Sequence, residues 1–381
     1  MPSHRSLRWV VLALLSALGL GCAALGPAHE IWNKTTDWLT GQTTIHLEIL
    51  EPAHIMVPPD IQTLAVLDRS QATNMHEGAV GVIEAALTGE EIGADYKGRA
   101  EAMRGLMNTL GASPRFRVIQ PILSQQEAES GIFDRELSWE AAHRICQRSG
   151  CEGIIALEAF DSNSTLTRQE KAEEILNEKG DKVQRWTYQL QRKTRVVVAW
   201  RLYDTQRMVV LDRLHDSARS RTWDAKGESH QEAVSRLPSQ YETVHRLGIE
   251  LGQEYARRVA PSYVTVPRKF YSSGDPRFKE AKAHVEVNHW PGAVRLWETV
   301  ARESNPKLRD RAFFNLALAR ELEGDLTGAL DLARKAALGL RNWPSREYVR
   351  LVEQRIEDQA RLDRQMAPPP APPNPSPRSR R

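Results

Sequence analysis

The sequence predicts two folds in series: an α+β domain, α/β-like with a mixed sheet and a β-hairpin, followed by an all-α module of helical repeats. Three observations predict this. Over residues 45–265, strand-type alternation and helical spacing succeed each other as strand–helix–strand–helix–strand, before a hairpin and a long helix. From residue 278 only helical spacing is found. Within that part the chain repeats itself, Gly292-Ala293-Val294 returning as Gly328-Ala329-Leu330, 36 residues on.

Taken in order, residues 1–21 read as an export signal. Arg5 and Arg8 precede the apolar run 9–20, which is shorter than the ~20 residues a membrane span usually needs. The run closes on Leu18-Gly19-Leu20-Gly21-Cys22. This looks like a lipobox, with Cys22 as the lipidation site and Gly19 where leucine is usual. Ordinary cleavage near Ala23-Ala24 and an uncleaved anchor stay open as alternatives. Acylation would hold the chain on a bilayer, since each buried CH₂ contributes about 0.8 kcal/mol. Ala23 in place of an aspartate points to the outer membrane, with the body facing the periplasm or the surface. Residues 22–44 read as a tether.

The α+β domain (45–265) opens with IHLEIL (45–50), where apolar and polar residues alternate, and IQTLAVLDR (61–69). AEAMRGLMNTL (100–110) has helical spacing and stops at Gly111, and RFRVIQP (115–121) returns as a short strand. SWEAAHRICQRSG (138–150) starts at an N-cap serine, Ser138, and closes at Gly150. GIIALEAFD (153–161) is an apolar strand. A charged stretch (168–185) separates it from a hairpin of TRVVVAWRLYD (194–204) and MVVLDRLHDSARS (208–220). A helix over 239–259 places Val244, Leu247, Leu251 and Tyr255 on one stripe, and Pro261 ends it.

Residues 266–277 read as a linker and 278–366 as helices: 278–290, 292–304, 309–324, 326–340, and a capping helix at 345–365. A repeat period in the mid-thirties, with paired helices and small residues at the crossings, is the tetratricopeptide pattern. Leu296, Trp297, Phe313, Leu316 and Leu330 are expected in the seam between helices. Trp290, Trp297 and Phe313 are the candidate partner-binding residues. The tail, 367–381, holds seven of the chain's 21 prolines and cannot build a core.

Charge excludes some function classes. The formal net charge is +3, and loss of Arg5 and Arg8 with the signal leaves +1 (3 − 2), too little for nucleic-acid binding. Beyond Cys22 only Cys146 and Cys151 remain. Their spacing matches neither a zinc site nor a redox pair. A disulfide, favoured by an oxidising compartment, and two buried thiols both stay open. No phosphate-binding, nucleophile-elbow or zinc-protease motif is present. His76-Glu77 lacks a second histidine four residues after the first, Glu90 and Glu91 are merely adjacent, and His143, His215, His245 and His289 stand isolated. Neither a catalytic residue nor a cofactor, metal or small-molecule substrate is therefore expected, and the chain is read as a non-enzyme.

With these segments placed, the chain resembles an uncharacterised family of bacterial lipoproteins that carry tetratricopeptide repeats, filed as a domain of unknown function. Carrying the likeness are LEILEPAHIMVPPDIQTLAVLDRS (47–70), LTGEEIGADYKGRAEAMRGLMNTL (87–110) with SPRFRVI (113–119), SWEAAHRICQRSGCEGIIALEAFDS (138–162), VVVAWRLYDTQRMVVLD (196–212) and RVAPSYVTVPRKFY (258–271). The resemblance implies an exported lipoprotein and no mechanism. More distantly, the strand–helix–strand order is similar to the N-terminal domain of the translocation protein TolB. It is also similar to the α/β domains of curli-secretion and peptidoglycan-synthase-activator lipoproteins. The functional expectation is a membrane-anchored scaffold that binds an unknown envelope protein through its helical repeats. The alternative is an accessory lipoprotein of cell-wall synthesis or secretion acting through the α/β domain. A hydrolase with an unrecognised site ranks third.

Overall fold

The computed structural model describes residues 41–70, 94–122, 136–176 and 181–368. The signal segment, Cys22, most of the tether, His76-Glu77, Glu90-Glu91 and nearly all of the tail lie outside these residues. Contacts divide the chain into two compact units. One comprises Ile49–Val264 and the chain from Asp358. The other comprises the residues up to Glu48 and Thr265–Glu357.

In the first unit a five-stranded mixed sheet has the order β3-β2-β4-β5-β6, with β2 Thr63–Asp68, β3 Arg117–Ile119, β4 Gly153–Leu176, β5 Lys182–Asp204 and β6 Val209–Gly227. β2 is parallel to both β3 and β4, while β4–β5 and β5–β6 are antiparallel. β2 is almost wholly buried because it is covered on both faces. Leu64 and Val66 join the core built with helices α1 (Ala94–Ala112) and α4 (Gln240–Val259). Ala65 and Leu67 pack on the opposite face against α2 (Trp139–Ser149). β1 (Gln42–Glu51), the first strand among the described residues, belongs to a second sheet, two-stranded, with β7 (Ser262–Tyr271).

The helix signals fall where local chemistry puts them. The Ser138 side chain accepts the Ala141 N–H, and Gly150 ends α2 at φ 68°, a left-handed conformation that glycine adopts without a Cβ clash. Ser239 and Glu242 form a reciprocal capping box on α4. α1 and α4 touch backbone to backbone: a Cβ on Gly252 would lie 2.0 Å from the Ala102 carbonyl oxygen, and one on Gly105 2.4 Å from that of Ile249.

Three expectations are corrected. The charged stretch 168–185 is not a separator. β4 and β5 run through most of it as an antiparallel ribbon, from Ala159 opposite Ala199 to Leu176 opposite Lys182. The outer part of the ribbon, 168–174 with 182–186, has water on both faces, so its sequence loses the alternation that marks a half-buried strand. A short helix, α3 (His230–Arg236), covers the ribbon through Ala233, which packs with Leu190 and Ala225.

Second, residues 266–277 are not a linker, because they contain most of β7 and the start of α5 (Pro276–Glu286). Pro267 is tolerated there because, among the described residues, β7 has one hydrogen-bonded neighbour, β1. Third, Leu296, Phe313 and Leu330 are only half-buried, and Phe314 supplies the buried ring of its pair.

The second unit continues with α6 (Trp290–Ala301), α7 (Pro306–Leu322), α8 (Leu326–Leu340) and α9 (Trp343–Gln365). Asp275, Asn305 and Asp325 cap α5, α7 and α8 through their side chains. The fold class is as the sequence predicts: a mixed-sheet α+β region followed by an all-α module.

Candidate functional site

Among the polar clusters of the described residues, one in each unit lies at a position suited to a site. The first sits at the carboxyl end of β2, where its parallel pairing with β4 stops at Asp68 opposite Leu157; α/β folds commonly place ligands at such strand ends. Asp68 accepts the Ser70 N–H at 3.0 Å and its hydroxyl at 2.6 Å. The Arg99 Nε lies 3.8 Å from the other Asp68 oxygen. Arg69 pairs with Glu158, which also accepts the Tyr203 hydroxyl at 2.7 Å. Burial, with the Glu158 carboxylate beside it, raises the Tyr203 phenol above its ordinary value. The two arginines are balanced by two carboxylates, and the groups face one another. The Ser70 hydroxyl meets the Asp68 carboxylate two residues away, in a local turn.

The second cluster is where α6, α7 and α9 receive strand β7, and it is the closer match to a recognition site. The Asn315 side chain, fully buried, accepts the Tyr271 N–H at 2.7 Å and donates to the Tyr271 carbonyl at 2.7 Å. It thus satisfies both main-chain groups of one extended residue, as a neighbouring strand would. Arg268 forks onto Glu321 through Nε (3.1 and 3.0 Å) and NH2 (2.8 Å), and the Tyr348 hydroxyl donates to the same carboxylate at 2.8 Å. Burial first, and then the Glu321 charge, hold the Tyr348 phenol well above its ordinary value. A planar fork on a carboxylate fixes direction as well as charge.

Apolar contacts complete the grip. Phe270 meets Trp297 at 5.9 Å between ring centroids, and the Tyr271 ring stands edge-on to Phe314 at 5.3 Å. Phe314 in turn meets Tyr348 at 4.9 Å. Arg311 lies over the Tyr271 ring, and Asn342 donates to the Tyr271 hydroxyl at 3.0 Å. The helical unit therefore holds an extended segment by its backbone and side chains, and that segment is its own strand.

This placement reassigns the candidate residues. Trp297 is fully buried between Phe270 and Trp290, so it is a core residue and not a contact for a partner. Trp290 is half-buried, its Nε1 donating to Asn288 at 3.0 Å. Phe313 is half-buried beside the buried Phe314. Cys146 and Cys151 are disulfide-bonded, with Cα atoms 4.5 Å apart, across the C-terminal end of α2. Cys22 lies outside the described residues.

Asn315, Arg268, Glu321 and Tyr271 were not singled out from the sequence. The signal available was an asparagine and a glutamate set in the apolar run FFNLALAREL (313–322), since a polar residue on a buried helix face needs a partner.

Among the described residues, no helix is long and apolar enough to cross a membrane. Residues 61–271 match the model of a domain of unknown function, DUF8603. Residues 279–357 match a second domain of unknown function, DUF6340. No curated protein matches the chain.

Proposed function

The chain belongs to the family of the domain of unknown function DUF8603, and from that premise we propose that it is an exported, lipid-anchored envelope protein that acts as a scaffold. Its anchor is Cys22, and its partner-binding part is the helical unit, read as tetratricopeptide-like. Supporting that reading are α6 and α8, which start 36 residues apart (326 − 290), and the small residues Ala293, Ala317 and Ala329, all fully buried.

One observation carries the scaffold reading. The helical face turned toward β7 is filled by the chain itself, yet large apolar side chains remain in water elsewhere on the unit. Leu338 is 76% and Trp343 67% exposed, and the two flank the turn between α8 and α9. A tryptophan this exposed is uncommon, and aromatic anchors of this kind dominate protein interfaces. The occupant is an apolar segment of another envelope protein, and Trp343 and Leu338 take the role the sequence suggested for Trp290 and Trp297.

Affinity capture from detergent-solubilised envelopes tests the assignment. Wild-type protein is expected to retain a partner that a Leu338→Ser, Trp343→Ser double variant loses. Equal recovery by both would overturn it.

A further inference from the structure

We propose that His284 and His289 form a two-nitrogen site for a divalent transition metal at the turn between α5 and α6, with copper(II) favoured over nickel(II) and zinc(II). The two Nδ1 atoms face each other 3.0 Å apart, with ring centroids 4.9 Å apart. Sequence spacing alone left His289 isolated. The turn brings the rings together: the His289 N–H donates to the His284 carbonyl at 2.8 Å, and Asn288 takes a positive φ of 57°.

Gly292 keeps the space open. A Cβ there would lie 2.7 Å from each of the two Nδ1 atoms, closer than real Cβ contacts come. The backbone thus preorganises both rings, and neutral imidazole is a good ligand for zinc, copper and nickel.

Nitrogen sites bind copper(II) more tightly than nickel(II) or zinc(II), and the separation is compatible with that choice. With metal–nitrogen bonds of about 2.0–2.1 Å, two nitrogens 3.0 Å apart enclose roughly 90–97° at the metal. That is the angle between neighbouring positions in a square-planar or tetragonal shell, which suits copper(II) and nickel(II). Water fills the other positions, because no group of three or more potential side-chain ligands is found among the described residues. Without metal, one ring donates its Nδ1–H to the other.

The test is titration of the full, detergent-solubilised chain with each metal alone, followed by electron paramagnetic resonance at one equivalent of copper(II). The expected result is a spectrum showing two equatorial nitrogens and affinity in the order copper, nickel, zinc. The tightest site should weaken at least tenfold in His284→Gln, in His289→Gln and in Gly292→Ala, whose added methyl occupies the space while both histidines remain. Circular dichroism matching wild type separates loss of the site from loss of fold. Variant titration curves that superimpose on the wild-type curve, or a copper spectrum with fewer than two nitrogens, would overturn the proposal.

Discussion

The Asn315 amide closes on a single residue, Tyr271, accepting its N–H and donating to its carbonyl, each at 2.7 Å. The same device recurs in the other unit. The Gln365 amide accepts the Ala53 N–H and donates to the Ala53 carbonyl, each at 2.9 Å. In both cases a side-chain amide stands in for a missing strand. Replacing Asn315 with leucine leaves two buried main-chain groups unpaired, at about 1–3 kcal/mol each. Urea unfolding should show a loss of about 2–6 kcal/mol for Asn315→Leu. A change within the error of the extrapolation would mean that Tyr271 finds other partners.

The contact between α1 and α4 makes a paired prediction. Gly252→Ala drives a methyl to 2.0 Å from the Ala102 carbonyl oxygen, and overpacking of this kind costs about 1–3 kcal/mol or more. Gly111→Ala, with nothing within 4 Å of the new methyl, should instead stabilise by about 0.4–1 kcal/mol through helix propensity and a less flexible unfolded chain. Thermal melts read both, and similar shifts in the two variants would refute the close approach.

Asp95 gives a pH dependence. Burial holds its carboxyl above the ordinary 3.8, opposed by the Ser162 hydroxyl that donates to it and reinforced by the Asp161 charge. The folded state therefore binds this proton more tightly than the unfolded state does. The stabilisation from Asp95 is fully present below its unfolded pKa and is lost as pH rises through the raised folded value. Asp95→Asn keeps an acceptor for Ser162 and has no proton to lose. Its urea midpoint relative to wild type should rise from below pH 3.8 to neutral pH. A flat difference would place Asp95 in water.

The Cys146–Cys151 bond closes a loop with a separation of five residues. Closing so short a loop restricts the unfolded chain by only about 2 kcal/mol. Reduction should lower the unfolding free energy by about that amount and leave the fold intact. Complete unfolding on reduction would show that the bond does more than constrain the chain.

How far the sequence foretold this structure depended on whether the deciding interactions were local. Ser138 and Gly150 mark helix ends because their partners lie within five residues, and the start and end of α2 fall at those signals. The outer part of the ribbon, 168–174 with 182–186, was not legible, because both of its faces meet water and no apolar period survives. β7 was missed for a related reason. Its residues are held by Trp297, Asn315 and Glu321, which lie 27 to 53 positions further on (297 − 270, 321 − 268). The expected seam was right in Trp297 and off by one at Phe313, since a helix turns 100° per residue and its neighbour Phe314 took the buried place.

The anchor is the claim on which the scaffold reading stands. Metabolic labelling with a clickable fatty acid, read on wild type and on Cys22→Ser, tests it most directly. Wild type should carry the label and fractionate with outer membranes, and Cys22→Ser should lose both. Equal labelling and equal membrane association of the two proteins would contradict the account.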